Sequence, residues 1–207
     1  MKTILCYGDS NTWGYNPSDQ KRFPHHIRWP GVLRTELGTD YYIIEEGLNG
    51  RTTVWDDPIE LDKNGATYLK PCIQTHKPID LVIIMLGTND LKTRFSLNAY
   101  DIASGAGVLV DIVQKSNTGI DGEPPEVLLI APPPTVPYPD TEIFIGAPEK
   151  SSIFGKAFRR VSDEKNCHFL NAGEYVESSP IDGIHLTVDM HEKLGIILAG
   201  KVKEILD

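Results

Sequence analysis

Ser10, Gly50, Asn89, Asp182 and His185 are the residues of this 207-residue chain whose types can carry out acyl transfer together. A serine hydroxyl is a weak nucleophile until a neighbouring base takes its proton. His185 can be that base near neutral pH. Asp182 lies three residues earlier, close enough for its carboxylate to accept the His185 Nδ1–H and select the tautomer. Attack on a carbonyl also needs donors aimed at the developing oxyanion. The backbone N–H groups of Ser10 and Gly50 and the side-chain amide of Asn89 can supply three.

These residues are distant in sequence, so the fold must gather them. Four turns carry them: Gly8-Asp9-Ser10, Asn49-Gly50, Thr88-Asn89-Asp90, and Asp182 with His185. The first three each follow an apolar or β-branched stretch, at residues 2–7, 41–46 and 81–86. The run Leu81-Val82-Ile83-Ile84-Met85-Leu86 has no polar face, as in a parallel strand covered on both sides. Further strands are predicted at 127–131 and 167–170. Helices are predicted at 29–37, 65–76, 97–115 and 149–165, and after Thr187. Pro30 and Gly38 mark the start and stop of the first, Ser96 caps the third, and Thr187 caps the last. Strands alternating with helices imply a parallel sheet of about five strands with helices on both faces, in one domain over residues 1–207. In such a sheet the carboxyl ends of all strands share one edge, where ligands bind. The loops at 11–28 and 132–149 are long and proline-punctuated, the mark of functional connections.

Composition excludes several classes. The formal net charge is −9, without the basic face that nucleic acid requires. No apolar run approaches the roughly 20 residues of a membrane span, and no leader-like segment precedes the first turn. Cys6, Cys72 and Cys167 are odd in number and far apart, which argues against a disulfide framework or a cysteine zinc site. The expectation is a cytoplasmic protein with no membrane partner. His25-His26 lies in a polar loop and is read as solvated, with no third ligand at telling spacing. His76, His168 and His191 are read as structural or surface residues, and Trp13, Trp29 and Trp55 as packing anchors.

The four blocks, in this order and at these places, resemble the SGNH hydrolases, or GDSL-type esterases, across essentially the whole chain. Gly8-Asp9-Ser10-Asn11-Thr12-Trp13-Gly14, Glu45-Glu46-Gly47-Leu48 with Arg51-Thr52-Thr53, and the segment from Leu81 to Asp90 are similar to the aryl esterase/acyltransferase branch. Asn11 stands where the name motif has leucine, and Glu45 where many members carry asparagine. The resemblance implies a flavodoxin-like three-layer α/β/α sandwich. It also implies an ester hydrolase of short acyl groups, aryl esters included, with transfer to alcohols in some members. It further implies a small-molecule ester substrate, no cofactor or metal, and a homo-oligomer. Ser10, Asp182 and His185 would be catalytic, and Ser10, Gly50 and Asn89 the oxyanion hole. Asn11, Tyr15, Thr88 and Ile184 neighbour these motifs and are expected to line the acyl or alcohol pocket.

Three other readings compete. An acetyl-sugar deacetylase differs from the first only in the alcohol. A metal-dependent phosphoesterase would take Asp9, Asn89, Asp90, Asp182 and His185 as ligands, but the chain lacks a D-x-H pair in the first turn and a second histidine beside the others. A non-catalytic ligand-binding module would share the fold, yet no phosphate-cradling glycine motif follows any strand.

Overall fold

A computed structural model describes residues 1–138 and 142–207. Five parallel strands, β1 (Lys2–Gly8), β2 (Tyr41–Gly47), β3 (Leu81–Met85), β4 (Glu126–Ala131) and β5 (His168–Asn171), form one sheet in the order β2-β1-β3-β4-β5. Successive side chains on a strand point to opposite faces, so each strand feeds two cores. Leu5, Tyr7, Val82, Ile84 and Leu129 pack with α3 (Gly65–His76), α4 (Ala99–Gln114) and α6 (Phe154–Lys165). Ile4, Cys6, Ile83 and Leu128 pack with α2 (Trp29–Leu37) and α7 (Val188–Leu206). The result is the α/β/α sandwich expected from the pattern. Two short helices, α1 (Ser10–Trp13) and α5 (Ala147–Ser151), complete the set among the described residues.

The chain leaves β1 toward β2 on one side and returns to β3 on the other. The carboxyl ends of β1 and β3 therefore flank the topological switch point, where a crevice opens. Ser10 follows β1 and Asn89 follows β3. The same alternation separates the two acids of β2. Ile43 belongs to the core under α2 and Ile44 to the core under α3, so Glu45 faces α2 and Glu46 faces α3. Glu45 is ion-paired with Arg28 at 2.9 Å and Arg34 at 3.1 Å, and one of its oxygens lies 3.1 Å from His25 Nε2. His25 is exposed, as expected for a solvated loop histidine, and its imidazole also touches Glu45 and Arg34 at the edge of this charged cluster.

Other local expectations shift. The third predicted helix starts at Ala99, and its cap is Asn98, whose Oδ1 accepts from the N–H groups of Tyr100 and Asp101 at 2.9 and 3.0 Å. Ser96 instead closes a preceding 3-10 turn in a left-handed conformation, φ 53°. An asparagine two residues later satisfies two free donors of the first turn, so it wins. The predicted helix at 149–165 is two helices, α5 and α6, and Ile153 between them is exposed. Thr187 occupies the cap position of α7 without a side-chain bond. Trp29 is fully buried as expected, whereas Trp55 is exposed. Residues 139–141 of the loop at 132–149 lie outside the described residues.

Candidate active site

Asp9 ends the first strand by capping α1, its carboxylate accepting from Asn11 N–H at 2.9 Å. That turn lifts Ser10 into the first position of the helix, where a backbone N–H has no intrahelical acceptor. The turn lies tight against the end of β2. A Cβ on Gly47 would sit 2.1 Å from the Trp13 nitrogen, so only glycine permits the approach.

Ser10, His185 and Asp182 form a continuous relay. Ser10 Oγ is 2.8 Å from His185 Nε2, and His185 Nδ1 is 2.6 Å from Asp182 Oδ2. The other Asp182 oxygen accepts from the N–H groups of Ile184 and His185, each at 3.0 Å. Burial would raise the Asp182 carboxyl, but the imidazole and those two N–H groups hold it below the ordinary carboxylate range. An ionised Asp182 accepts from Nδ1–H, which leaves the Nε2 lone pair for the serine proton. The Tyr15 ring packs on the imidazole with centroids 4.2 Å apart.

Asn11 joins the two halves of this arrangement across 175 residues of sequence. Its Oδ1 accepts from Leu186 N–H at 3.0 Å, and its Nδ2 donates to the Ile184 carbonyl at 3.3 Å. Gly50 adopts a left-handed φ of 81° in the turn after β2. Neither the Ser10 N–H nor the Gly50 N–H has a protein acceptor among the described residues. One Asn89 amide hydrogen is held by the Arg51 carbonyl at 3.1 Å, which leaves the other to donate elsewhere. Of the four predicted lining residues, Tyr15 and Ile184 keep exposed surface. Thr88 is almost fully buried, and Asn11 is buried with its amide committed to backbone.

Two residues named in the sequence motifs take supporting roles that the sequence did not assign to them. Arg51 is buried and donates to the carbonyls of Gly8, at 2.8 Å, and Glu46, while its guanidinium lies over the Tyr7 ring at 4.2 Å. It therefore ties the turn bearing Gly50 to the end of β1. Its signal was a charged residue directly after a glycine turn. Asp90 is fully buried and accepts from the Thr53 N–H at 3.1 Å and the Thr53 hydroxyl. Burial pushes its carboxyl up to about 7, against those donors. Asp9 is likewise pushed by burial up to about 6. The acids proposed as phosphoesterase ligands are thus bonded to protein donors. Among the described residues, the one grouping of three potential ligands lies elsewhere, at Glu46, Cys72 and His76.

Residues 6–193 match the family model of the GDSL-like lipase/acylhydrolase family. Among solved structures, the M. smegmatis aryl esterase in its inhibitor-bound form is 41% identical. It covers 100% of both chains with a TM-score of 0.96. A carbohydrate acetylesterase from Sinorhizobium meliloti is 42% identical over 100% of both chains, with a TM-score of 0.95. A member of the lipolytic G-D-S-L family from Veillonella parvula shares the fold at 15% identity, again over 100% of both chains, with a TM-score of 0.70. No curated protein matches the chain.

Proposed function

The chain belongs to the GDSL-like lipase/acylhydrolase family and is a carboxylic ester hydrolase, and from that premise we propose a serine esterase of short, acetyl-type esters, aryl esters included. The single observation that carries the mechanism is the relay of 2.8 and 2.6 Å from Ser10 through His185 to Asp182. His185 takes the Ser10 proton as Oγ attacks the ester carbonyl. The oxyanion is held by the N–H groups of Ser10 and Gly50 and by the free amide hydrogen of Asn89. His185 then returns the proton to the leaving alcohol or phenol, and an acyl-serine remains. Water, or a second alcohol, repeats the sequence in reverse and removes the acyl group. Asp182 stays ionised throughout and keeps the imidazole in the required tautomer. Tyr15 and Ile184 border the pocket, while Asn11 acts as a positioning residue and Thr88 as a packing one.

A second reading, an acetylated carbohydrate as the natural ester, is supported by the similarity to the S. meliloti carbohydrate acetylesterase. It keeps every step and changes only the alcohol. Self-association belongs to the proposal too and rests on the family resemblance; Ile59, Leu61 and Ile145, which expose 72%, 75% and 65% of their surface, are apolar side chains available to such a contact. The three cysteines are unpaired, which fits a reducing cytoplasm. Among the described residues, no helix is long and apolar enough to cross a membrane.

The test is hydrolysis of p-nitrophenyl esters of increasing acyl length, and of acetylated sugars, by wild type and Ser10→Ala, with and without EDTA. Expected are fastest cleavage of acetate, indifference to chelation, and a loss of about 10³–10⁶-fold in kcat for Ser10→Ala. Phenyl acetate with an added alcohol in water measures transfer through the new ester formed. An unchanged Ser10→Ala rate would overturn the mechanism.

A further inference from the structure

Glu46, Cys72 and His76 converge on the face of the sheet opposite Glu45, outside the relay. Cys72 and His76 are four residues apart on α3, so both project from one face of the helix. Glu46 reaches them from the end of β2, with its Oε1 2.9 Å from His76 Nε2. One ligand atom from each residue, thiol sulfur, imidazole nitrogen and carboxylate oxygen, lies within 4.8 Å of the other two. The sequence reading treated Cys72 and His76 separately, because their partner acid is 26 residues upstream and only the parallel packing of β2 under α3 brings it in.

We propose that Glu46, Cys72 and His76 form a binding site for a thiophilic divalent cation of the Zn²⁺ class, which braces β2 to α3. A sulfur, nitrogen and oxygen donor set suits such an ion, whereas Mg²⁺ and Ca²⁺ take oxygen alone. In a tetrahedral site with bonds of about 2.0–2.3 Å, donor atoms stand about 3.3–3.6 Å apart. Closing the trio from within 4.8 Å thus takes small side-chain rotations, and the His76–Glu46 hydrogen bond opens by a few tenths of an ångström. His76 and Glu46 are partly exposed, and Glu46 also lines a cavity of about 600 Å³ together with Arg51, Asn64, Tyr68 and Pro71. That cavity gives the ion an entry path and room for a water as fourth ligand. On binding, a Zn–S bond replaces the S–H bond of Cys72, and the proton leaves to solvent. No electron is transferred. The site is independent of the esterase reading.

The experiment titrates Zn²⁺ and Co²⁺ into EDTA-stripped, reduced full-length protein. Calorimetry in two buffers of different ionisation enthalpy, absorption spectroscopy and thermal melting follow the titration. Expected are one ion per chain, proton release on binding, a thiolate-to-cobalt charge-transfer band, and a rise in Tm with Zn²⁺. Cys72→Ala should abolish the band and the Tm rise. His76→Gln, at a partly exposed position that need not disturb folding, should weaken binding at least tenfold. No saturable one-to-one binding, a cobalt spectrum without the thiolate band, or affinity unchanged in His76→Gln would each overturn the proposal.

Discussion

Replacing Asp182 with asparagine should abolish catalysis while leaving the fold in place, and the site geometry explains why. Asp182 Oδ1 accepts two backbone N–H groups at 3.0 Å, and Oδ2 accepts His185 Nδ1–H at 2.6 Å. Asparagine has one acceptor oxygen. Turning it toward the imidazole would strand both N–H groups against an NH₂, at about 1 kcal/mol or more for each. The oxygen therefore stays on the backbone, and Nδ2 faces Nδ1. Two donors cannot share that contact, so the imidazole shifts its proton to Nε2. Nε2–H then points at Ser10 Oγ, 2.8 Å away, and nothing remains to accept the serine proton. In a serine protease the equivalent change lowers kcat about 10⁴-fold, close to 5 kcal/mol of transition-state stabilisation. The same order is expected here. Steady-state hydrolysis of p-nitrophenyl acetate gives the rate, and ¹⁵N NMR of His185 reports the tautomer directly. Ser10→Ala combined with Asp182→Asn should be no slower than Ser10→Ala alone, because the residues act as a unit. An Asp182→Asn enzyme within tenfold of wild-type kcat, with the proton still on Nδ1, would refute the reasoning.

Three further outcomes follow from the same bonds. Asn11→Ala removes the tie between the Ser10 turn and the His185 loop; it should lower kcat about 10–10²-fold with little change in KM, at a stability cost of about 1–2 kcal/mol measured by urea unfolding. Gly47→Ala places a methyl group 2.1 Å from the Trp13 nitrogen, so it should displace α1 and depress both activity and Tm, whereas Gly200→Ala, which meets nothing within 4 Å, should leave both near wild type. Asp57 has no exposed side-chain surface. Burial opposes its charge, yet Arg94 at 2.6 Å, Lys92 at 3.5 Å and two backbone N–H groups hold its carboxyl well below the ordinary range. A carboxyl depressed in the folded state stabilises it above the unfolded pKa near 4 and loses that contribution as pH falls. Wild type should therefore lose stability below about pH 4 more steeply than Asp57→Asn, while Asp57→Ala should cost about 1–3 kcal/mol at neutral pH, because the Ile59 and Glu60 N–H groups lose their acceptor and Arg94 and Lys92 keep only Glu60.

Local sequence determined what depends on neighbours along the chain. The unbroken apolar run of β3 and the β-branched residues of β2 specify strands that need cover on both faces, and the spacing of Leu194, Leu198 and Val202 specifies the buried stripe of α7. The motif order was enough to nominate Ser10, Asp182 and His185, since each sits in a turn whose position an α/β alternation dictates. Tertiary structure decided what depends on partners far apart. A cap is chosen by which side chain reaches the free N–H groups, and Asn98 prevailed over Ser96 on that ground. Asn11 proved to be a strut because Leu186, 175 residues away, is where its amide ends. Glu45 and Glu46 are adjacent and chemically alike, yet the strand pleat sends one to Arg28 and Arg34 and the other to His76. Periodicity reveals which side of an element is buried. It carries no record of which side chain waits on the element packed against it, and that pairing is what orients the relay, holds the turn bearing Gly50 and assembles the Glu46, Cys72 and His76 cluster.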